Sequence, residues 1–306
     1  MTTLSHHPAA GAATRTRRKQ RRDWTGWKFV GPFMIVFSLV LIAPVIYSLY
    51  LSVYKDQLVG GNSFVGFANY AQALSDPKLW ESLGRVTLFL VVQVPIMLAL
   101  AMFAALAIDS ARLHLSPLFR IAIFLPYAVP AVVATLMWGF MYGTQFGLVG
   151  NLNDFFGIAI PSPLSSSWVL ASIGNIVTWE FVGYNMILFY AALRVIPADL
   201  YEAAELDGAG TFRIIQSIKF PALRPAMVIG AIFSIIGSFQ LFNEPSILRS
   251  LAPNSISTFF SPNMYAYNLS FSGQQYNYSA TIAIIVGLLT AAIAYIVQIT
   301  GTRKED

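Results

Sequence analysis

The sequence predicts an all-α integral membrane protein with six transmembrane helices, and three observations support this prediction. Hydrophobic residues make up 56% of the 306 residues. Charged residues make up only 11%, less than half of the roughly 25% usual in soluble domains. The charged residues also leave long gaps, each close to the roughly 20 residues that cross the hydrocarbon core of a bilayer. One soluble core cannot hide this much apolar surface, so the excess is expected to face lipid.

Six gaps between charged residues define the spans. The first is too long for a signal peptide and lacks a small-residue cleavage site, so we expect a membrane anchor. The fourth is interrupted only by Glu180, and the fifth is short unless Ala222 and Leu223 extend it. The spans are Phe29–Tyr54, Val86–Ile108, Ile121 to about Gly143, Trp168–Leu193, Ala226–Asn243 and Ala280–Ile299.

The distribution of Lys and Arg predicts the orientation, because positively charged loops resist translocation. With the N-terminus inside, fifteen of the 19 basic residues fall on the cytoplasmic side, and both termini are cytoplasmic. The four outer ones are Lys55, Lys78, Arg85 and Arg249. This asymmetry explains the net charge of +5 without a nucleic-acid partner. The basic tail, residues 1–28, is predicted to be a disordered topology determinant, with binding to anionic membrane lipid as the alternative.

The residue types restrict the chemistry. The absence of cysteine excludes disulfides, thiolate metal sites and cysteine nucleophiles. With only three histidines, no zinc or haem enzyme is expected, and we predict no metal site.

Two outer segments differ in character. Residues 55–85 contain Gly60, Gly61 and the Asp76-Pro77 pair, while residues 250–278 carry no charge and are rich in Asn, Ser, Tyr and Gln. Such residues suit a wet contact surface, for example toward a soluble partner. An interfacial aromatic belt with ordinary turns explains them equally well.

The inner loop from Arg194 to Pro225 is the most informative segment. Pro197 followed by Asp199 predicts a helix start, since proline loses no needed donor there and the carboxylate meets the positive end of the helix dipole. Gly208 is expected to end that helix in the left-handed conformation. Thr211 is expected to cap a second short helix that Pro221 stops. The loop therefore predicts a small rigid projection into the cytoplasm.

This loop resembles the Glu-Ala-Ala loop of binding-protein-dependent ABC importer permeases. Glu202-Ala203-Ala204, then Gly208, then Ile218 and Pro221 fall at the spacing of that motif, with Phe220 where leucine is usual. The alternative without a functional role is a pair of amphipathic helices that covers the base of the bundle. The resemblance implies the type I importer permease fold, also called MetI-like, in a bacterial plasma membrane. It also implies a permease core over residues 80–302 with a coupling loop at 194–225.

In that family the loop docks in a cleft of a separate ATPase and couples it to the spans. By resemblance, Glu202, Ala203, Ala204, Asp207 and Gly208 would form the contact, supported by Ile218 and Pro221. The sequence has no phosphate-binding Gly-rich Lys-Ser/Thr loop, so we expect no cofactor in this chain, and ATP and Mg²⁺ in the partner. The other partners implied are a second permease in a heterodimer and an extracytoplasmic sugar-binding protein.

Further residues are similar to the carbohydrate branch of these permeases, and to the first subunit of its heterodimers. The similar stretches are Leu125-Pro126-Tyr127-Ala128-Val129-Pro130, Trp138, Phe146-Gly147-Leu148, Trp179 to Tyr184, and Phe239 with Phe242. The region around Ser261 to Asn268 looks like cellobiose and lactose permeases. The resemblance therefore implies a disaccharide or cello-oligosaccharide as substrate.

Trp179, Glu180 and Tyr184 are candidates for the substrate path. Glu180 is predicted near mid-membrane, where an acid is costly unless it faces a cavity or a partner. A sugar site could use the acid to accept hydrogen bonds from hydroxyls and the neighbouring aromatic side chain to stack on the sugar ring. The maltose-type subunit has an apolar residue at the position of Glu180, so the acid is a departure from that pattern and would instead set specificity. The alternative is that Glu180 hydrogen-bonds a neighbouring helix of the second permease.

Span five supplies the remaining candidates. Gln240 and Asn243, predicted one turn apart, would contact substrate or cap the outer end of the span. Gly230 and Gly237 are expected to allow close helix packing.

Two functional alternatives to a sugar importer remain. A proton-coupled secondary carrier would use Glu180 as its protonation site, but six spans without visible inverted repeats argue against it. An ABC importer for another polyol, glycerol phosphate or a peptide keeps the same machinery. Anionic cargo would want Lys or Arg within the spans, and there is none. This chain itself is not expected to be an enzyme, because ATP hydrolysis would reside in the partner ATPase.

Overall fold

The computed structural model describes residues 25–57, 61–110 and 113–302. The chain divides into two compact units, Met1–Tyr47 and Ser48–Asp306. The predictions for the basic tail up to residue 24, for Arg112, and for Arg303 and Lys304 lie outside the described residues.

Helices account for most of the described chain. Two π turns, Ser38–Ile42 and Ile215–Lys219, and one 3-10 turn, Leu125–Ala128, lie between helices. The helices are α1 (Thr25–Phe37), α2 (Ala43–Ser52), α3 (Ala68–Leu74), α4 (Pro77–Asp109), α5 (Ser116–Phe124), α6 (Ala131–Met141), α7 (Leu148–Phe156), α8 (Val169–Leu193), α9 (Ala198–Leu206), α10 (Thr211–Ile214), α11 (Phe220–Phe239), α12 (Asn243–Leu248), α13 (Pro262–Phe271) and α14 (Tyr276–Thr302).

Besides the predicted helices, the structure contains a two-stranded β-hairpin that the sequence analysis did not predict. Strands β1 (Tyr54–Gln57) and β2 (Gly61–Phe64) pair antiparallel, with Tyr54 opposite Phe64. Their rings meet edge-on with centroids 5.4 Å apart, a cross-strand aromatic pair that stabilises so short a ribbon. The hairpin lies in the predicted outer segment, so the spans themselves remain helical as expected.

Among the described residues, five helical segments are long and apolar enough to cross a membrane. They are Gly26–Ser52, Pro77–Asp109, Val169–Leu193, Thr211–Leu248 and Tyr276–Gly301. The predicted third span is not one straight helix: Ser116–Ala128 and Ala131–Met141 meet at 98°. Val129 is extended between them because the ring of Pro130 disfavours the helical conformation for the residue before it. The prediction of six spans holds when this bent pair counts as one.

The inner loop confirms the first predicted helix and corrects the second. Helix α9 starts directly after Pro197, carries Asp199 in its first turn and ends before Gly208, whose φ is +77°. The cap predicted at Thr211 is wrong, because the N-cap is Gly210 and Thr211 already lies inside α10.

Pro221 does not stop the second helix, which continues as α10, a π turn and α11. The Phe220 N–H bonds to the Ile215 carbonyl, a wider turn than in an α-helix. Pro221 follows directly, near the start of α11. The wider turn shifts the hydrogen-bond register just where proline has no N–H to donate.

The core of the second unit consists of three apolar clusters. One joins α4, α11, α13 and α14, and one joins α8 to the segment around α12 and α13. The third joins the C-terminal halves of α4 and α8 to the start of α11. Fully buried members of the third are Ala101, Ala105, Met186, Phe189 and Leu223. The alanines on α4 leave room for the large side chains of α8, which holds these two spans side by side.

Gly230 and Gly237 were both predicted to allow close helix packing, and the structure places a neighbouring atom close to Gly230 alone of the two. A Cβ at Gly230 would lie 2.9 Å from Asn185 Oδ1, which confirms the prediction for that residue. A Cβ at Gly237 would meet no heavy atom of the described chain within 4 Å, so close packing is wrong there.

Candidate functional site

A cavity of about 440 Å³ opens among α4, α8 and α11. Its volume lies within the roughly 300–1,000 Å³ typical of ligand pockets. Its lining residues are Phe89, Gln93, Met97, Tyr127, Val177, Phe181, Tyr184, Asn185, Phe233, Ser234, Gly237, Ser238, Gln240, Leu241, Phe242, Asn243 and Glu244. The cavity therefore combines aromatic rings with neutral amides and one carboxylate.

The end of α11 shapes one side of the cavity. Helix α11 stops at Phe239, Gln240 is its C-cap, and α12 begins at Asn243. The prediction that Gln240 and Asn243 lie one turn apart in a continuous span is therefore wrong. The break nevertheless brings both side chains to the cavity, and Gly237 contributes space there because it has no side chain.

Gly183 places the bent helix pair against the cavity. A Cβ at this position would lie 2.1 Å from the carbonyl oxygen of Ile123, so only glycine permits the backbone of α5 to rest on α8. This close approach carries the 3-10 turn, and with it Tyr127, to the cavity wall.

Aromatic rings form one face of the cavity. Tyr127 stacks on Tyr184 with ring centroids 5.1 Å apart and an interplanar angle of 27°. Phe181 meets Tyr127 edge-on at 5.8 Å. The three rings are held by one another, which pre-orders them before a ligand arrives.

Neutral amides supply polar groups at fixed positions. Gln93 donates to Thr178 Oγ1 at 3.2 Å, and Asn185 donates to the Phe181 carbonyl at 3.0 Å. Asn185 Oδ1 is buried and has no hydrogen-bond partner among the described residues. An unpaired buried acceptor costs free energy unless a ligand supplies a donor.

Two buried carboxylates lie near each other at this site. Glu244 lines the cavity in the first turn of α12 and is 7% exposed. Glu180 is 3% exposed, and neither of its oxygens has a hydrogen-bond partner among the described residues. The two carboxylates interact electrostatically.

The predicted substrate residues do not all reach the cavity. Tyr184, Gln240 and Asn243 line it, whereas Glu180 and Trp179 do not. Trp179 packs edge-on against Trp138, with centroids 6.0 Å apart. Glu180 is therefore a neighbour of the cavity lining rather than part of it.

Sequence reasoning missed Tyr127, Gln93, Asn185 and Glu244 as cavity residues. A signal existed for Glu244, since an acid bordering an apolar span deserves the same scrutiny as Glu180. Gln93 and Asn185 are amides inside charge-free stretches, which is a weaker signal. Tyr127 stands in the 125–130 stretch that is similar to carbohydrate permeases, but only the bend in the third span brings its ring to the cavity.

A second candidate site is the surface of α9. Glu202, Ala203, Asp207 and Gly208 are exposed there, and Ala204 is half-buried. Three large apolar side chains beside them are also exposed: Leu200 by 50%, Leu206 by 89% and Phe212 by 78%. An apolar surface with carboxylates at its edge is typical of a protein contact.

Ile218 and Pro221 lie on the next helical segment rather than on α9. Ile218 is half-buried in the π turn, and Pro221 is exposed at the start of α11. The motif therefore spans a short helix and the base of a membrane span.

Several polar residues of the 250–278 segment stabilise the fold. Tyr265 and Tyr278 both donate to Asp76 Oδ2, at 2.6 and 2.7 Å, and Asn268 donates to the Met264 carbonyl at 2.8 Å. Tyr267 and Tyr276 are exposed. The segment is thus partly an internal brace, a role that neither sequence interpretation included.

Comparison with known proteins agrees with this architecture. Residues 97–303 match the family model described as the binding-protein-dependent transport system inner membrane component. The lactose transport system permease protein LacF of Rhizobium radiobacter is 31% identical over 297 residues, covering 95% of this chain and 98% of LacF. The trehalose/maltose transport system permease protein MalF of Thermococcus litoralis is 26% identical, covering 95% of this chain and 98% of MalF.

Solved structures show the same fold. A bacterial ABC transporter that imports the acidic polysaccharide alginate matches with a TM-score of 0.82 at 18% identity, over 92% of this chain and 96% of that one. The alginate transporter in complex with a pentasaccharide-bound periplasmic protein matches with a TM-score of 0.79 at 19% identity, over 92% and 95%. Together with the six predicted spans and the inner-loop motif, these matches show that the chain belongs to the binding-protein-dependent transport system inner membrane component family.

Proposed function

We propose that this transport subunit moves a neutral oligosaccharide, of disaccharide or cello-oligosaccharide size, through the cavity between α4, α8 and α11. The observation that carries the proposal is the stacked Tyr127–Tyr184 pair facing amides in one cavity. The apolar face of a pyranose ring packs on aromatic rings, and its hydroxyls pair with amides and carboxylates. Gln93, Asn185, Gln240 and Asn243 supply such amides in the cavity lining.

The charge of the cavity favours a neutral cargo over an anionic one. Its lining includes Glu244 and no Lys or Arg. Glycerol phosphate or another anion would meet a carboxylate without a compensating cation, which is unfavourable in a buried site. A neutral polyol remains the alternative among ABC cargos.

The energy source in this proposal is a separate ATPase that binds α9. The exposed apolar residues and the carboxylates Glu202 and Asp207 support it, since they form a contact surface on a short helix. Ala203 and Ala204 keep that helix narrow enough to enter a cleft. ATP and Mg²⁺ would be held by the ATPase, and a second permease and an extracytoplasmic sugar-binding protein would complete the importer.

The proposed orientation places α9 and both termini in the cytoplasm of a bacterial plasma membrane. The excess of basic residues on that side supports it. The 250–278 segment would then face outward, where Tyr267 and Tyr276 are exposed to a delivered binding protein or to the membrane interface.

The test is ATPase activity and sugar uptake in proteoliposomes containing the chain, its co-encoded ATPase and second permease, and the binding protein. Across a panel of sugars, one neutral oligosaccharide should stimulate ATP hydrolysis and accumulate inside. Gly208→Asp should abolish the stimulation, because a side chain at φ +77° is strained and adds a charge to the contact. Uptake that persists without the ATPase would refute the proposal and favour a carrier based on Glu180.

A further inference from the structure

A buried ion pair connects the inner ends of two cavity-lining helices. Lys219 Nζ lies 2.5 Å from Asp109 Oδ2. The side chains of Lys219 and Asp109 are only 14% and 10% exposed. Asp109 is the last residue of α4, and Lys219 is the last residue of the π turn that precedes α11.

The same ammonium group also contacts α9. Lys219 Nζ lies 5.5 Å from the ring centroid of Tyr201, within the range of a cation–π interaction. Tyr201 directly precedes Glu202 of the proposed ATPase contact. Lys219 thus contacts α4 and α9 while it belongs to the base of α11.

The electrostatic surroundings keep the ring of Tyr201 neutral. Burial raises the pKa of Tyr201 and the charge of Asp109 raises it further, while Arg194 lowers it. The phenol therefore stays neutral, as in a free tyrosine, and the ammonium of Lys219 contacts the face of its ring.

Both helices that meet at the ion pair line the cavity farther along. Gln93 on α4 is 16 residues from Asp109, about 24 Å at 1.5 Å per residue. Ser234 on α11 is 15 residues from Lys219, about 22 Å by the same rise. A movement of their shared inner end would therefore reach both sides of the cavity.

Stability alone is a weak reason for this arrangement. Desolvation of two buried charges can offset their attraction, so apolar residues of similar volume often serve a fold as well. What an ion pair adds is a fixed registry between the groups that it joins. Here those groups belong to α4 and to the base of α11, and the contact between Lys219 and the Tyr201 ring adds α9.

We propose that Lys219 is a positioning residue that joins α9 to α4 and α11, so that a displacement of α9 moves the two cavity-lining helices together. The inference rests on the proposed role of α9 as the ATPase contact. It adds the path by which that contact reaches the cavity. Removal of the ammonium group should let ATP hydrolysis proceed without coordinated movement of the spans.

The experiment compares Lys219→Met, Asp109→Asn and the charge swap Asp109→Lys with Lys219→Asp in the reconstituted complex. The readout is the number of sugar molecules taken up per ATP hydrolysed, with complex assembly and thermal unfolding measured in parallel. Because coupling between sites commonly amounts to 5–150-fold, we expect the single variants to lower this ratio about tenfold. The charge swap should restore a substantial part of it.

Two further variants separate a coupling role from a purely structural one. Tyr201→Phe keeps the ring and should behave as the native chain, whereas Tyr201→Leu should lower the uptake-to-ATP ratio with the ion pair intact. Arg224→Met is the matched control for Lys219→Met, because it removes a positive charge from an exposed position on α11, close to Lys219 in the sequence. We expect it to keep the native ratio of uptake to ATP hydrolysis.

The outcomes distinguish this inference from the proposed function. A native ratio in assembled Lys219→Met and Tyr201→Leu complexes would overturn the positioning role. If Lys219→Met does not assemble, Tyr201→Leu decides the question. If Gly208→Asp complexes assemble and couple normally, the proposed role of α9 fails, whatever the Lys219 variants show.

Discussion

The carbonyl oxygen of Ile123 lies where Gly183 leaves room for it, since a Cβ on residue 183 would be only 2.1 Å away. This backbone contact brings the bent helix pair onto α8 and Tyr127 into the cavity. The stacked Tyr127–Tyr184 face therefore depends on the absence of one methyl group.

Gly183→Ala should lower both the stability of the protein and the apparent affinity for sugar, although it adds only one methyl group. Overpacking typically costs about 1–3 kcal/mol, and relief here requires the backbone around Ile123 to move away from α8. We expect lower thermal stability and a higher concentration of sugar for half-maximal uptake. Gly84→Ala on α4 is the matched control, because Gly84 does not line the cavity and a Cβ there meets no heavy atom of the described chain within 4 Å. Equal behaviour of the two variants would contradict this account of Gly183.

Glu244→Gln should change which sugars compete for uptake. The native carboxylate disfavours an anionic sugar, so we expect a uronate disaccharide to compete poorly with its neutral counterpart. In the variant, the ratio of the inhibitory concentrations of the uronate and the neutral disaccharide should fall about tenfold, which corresponds to about 1.4 kcal/mol. The measurement is inhibition of labelled sugar uptake with the same binding protein throughout. Asp56→Asn, on the exposed hairpin, should leave the preference unchanged.

The Asp76 brace should make stability depend on acid pH. Burial alone would raise the pKa of Asp76, but hydrogen bonds from Tyr265, Tyr278 and the Lys78 N–H hold it below its usual value. A folded-state pKa below the unfolded one stabilises the protein above the unfolded value, about 3.9 for aspartate, and the benefit is lost as pH falls through the folded pKa.

Asp76→Asn should therefore lower the unfolding temperature at neutral pH and flatten its decline in acid. Each hydrogen bond to a charged group contributes about 1.5–3 kcal/mol, with partial exposure favouring the lower end. Unfolding is followed in detergent from about pH 7 down to about pH 2, because the predicted loss lies below the unfolded aspartate pKa of about 3.9. A native acid profile in the variant would show that Asp76 does not contribute to it.

Single cysteines can test the orientation, because the native chain has none. Leu206→Cys on α9 and Phe64→Cys on the hairpin place thiols at positions 89% and 68% exposed. A membrane-impermeant maleimide should label Phe64→Cys in intact cells and Leu206→Cys only in inverted vesicles. Bound ATPase should protect Leu206→Cys alone. The reverse labelling pattern would invert the proposed topology.

Local signals predicted much of this protein. Charge-free gaps located the spans, and Pro197 and Gly208 bounded α9, because transfer free energy and backbone conformation act on neighbouring residues. The expectation that Pro221 ends a helix was wrong, and one straight span was expected where the chain bends at Pro130. Whether a proline ends, widens or bends a helix depends on the bonds that the surrounding turn can offer.

The sequence by itself determined that the chain crosses a membrane several times and presents a Glu-Ala-Ala loop on a short helix. Only the tertiary structure decided which polar residues share the cavity, that Gly183 admits the backbone of Ile123, and that Lys219 meets Asp109 across 110 residues. These features are contacts between distant segments. They follow from how helices pack against one another, and no pattern within a single helix records that packing.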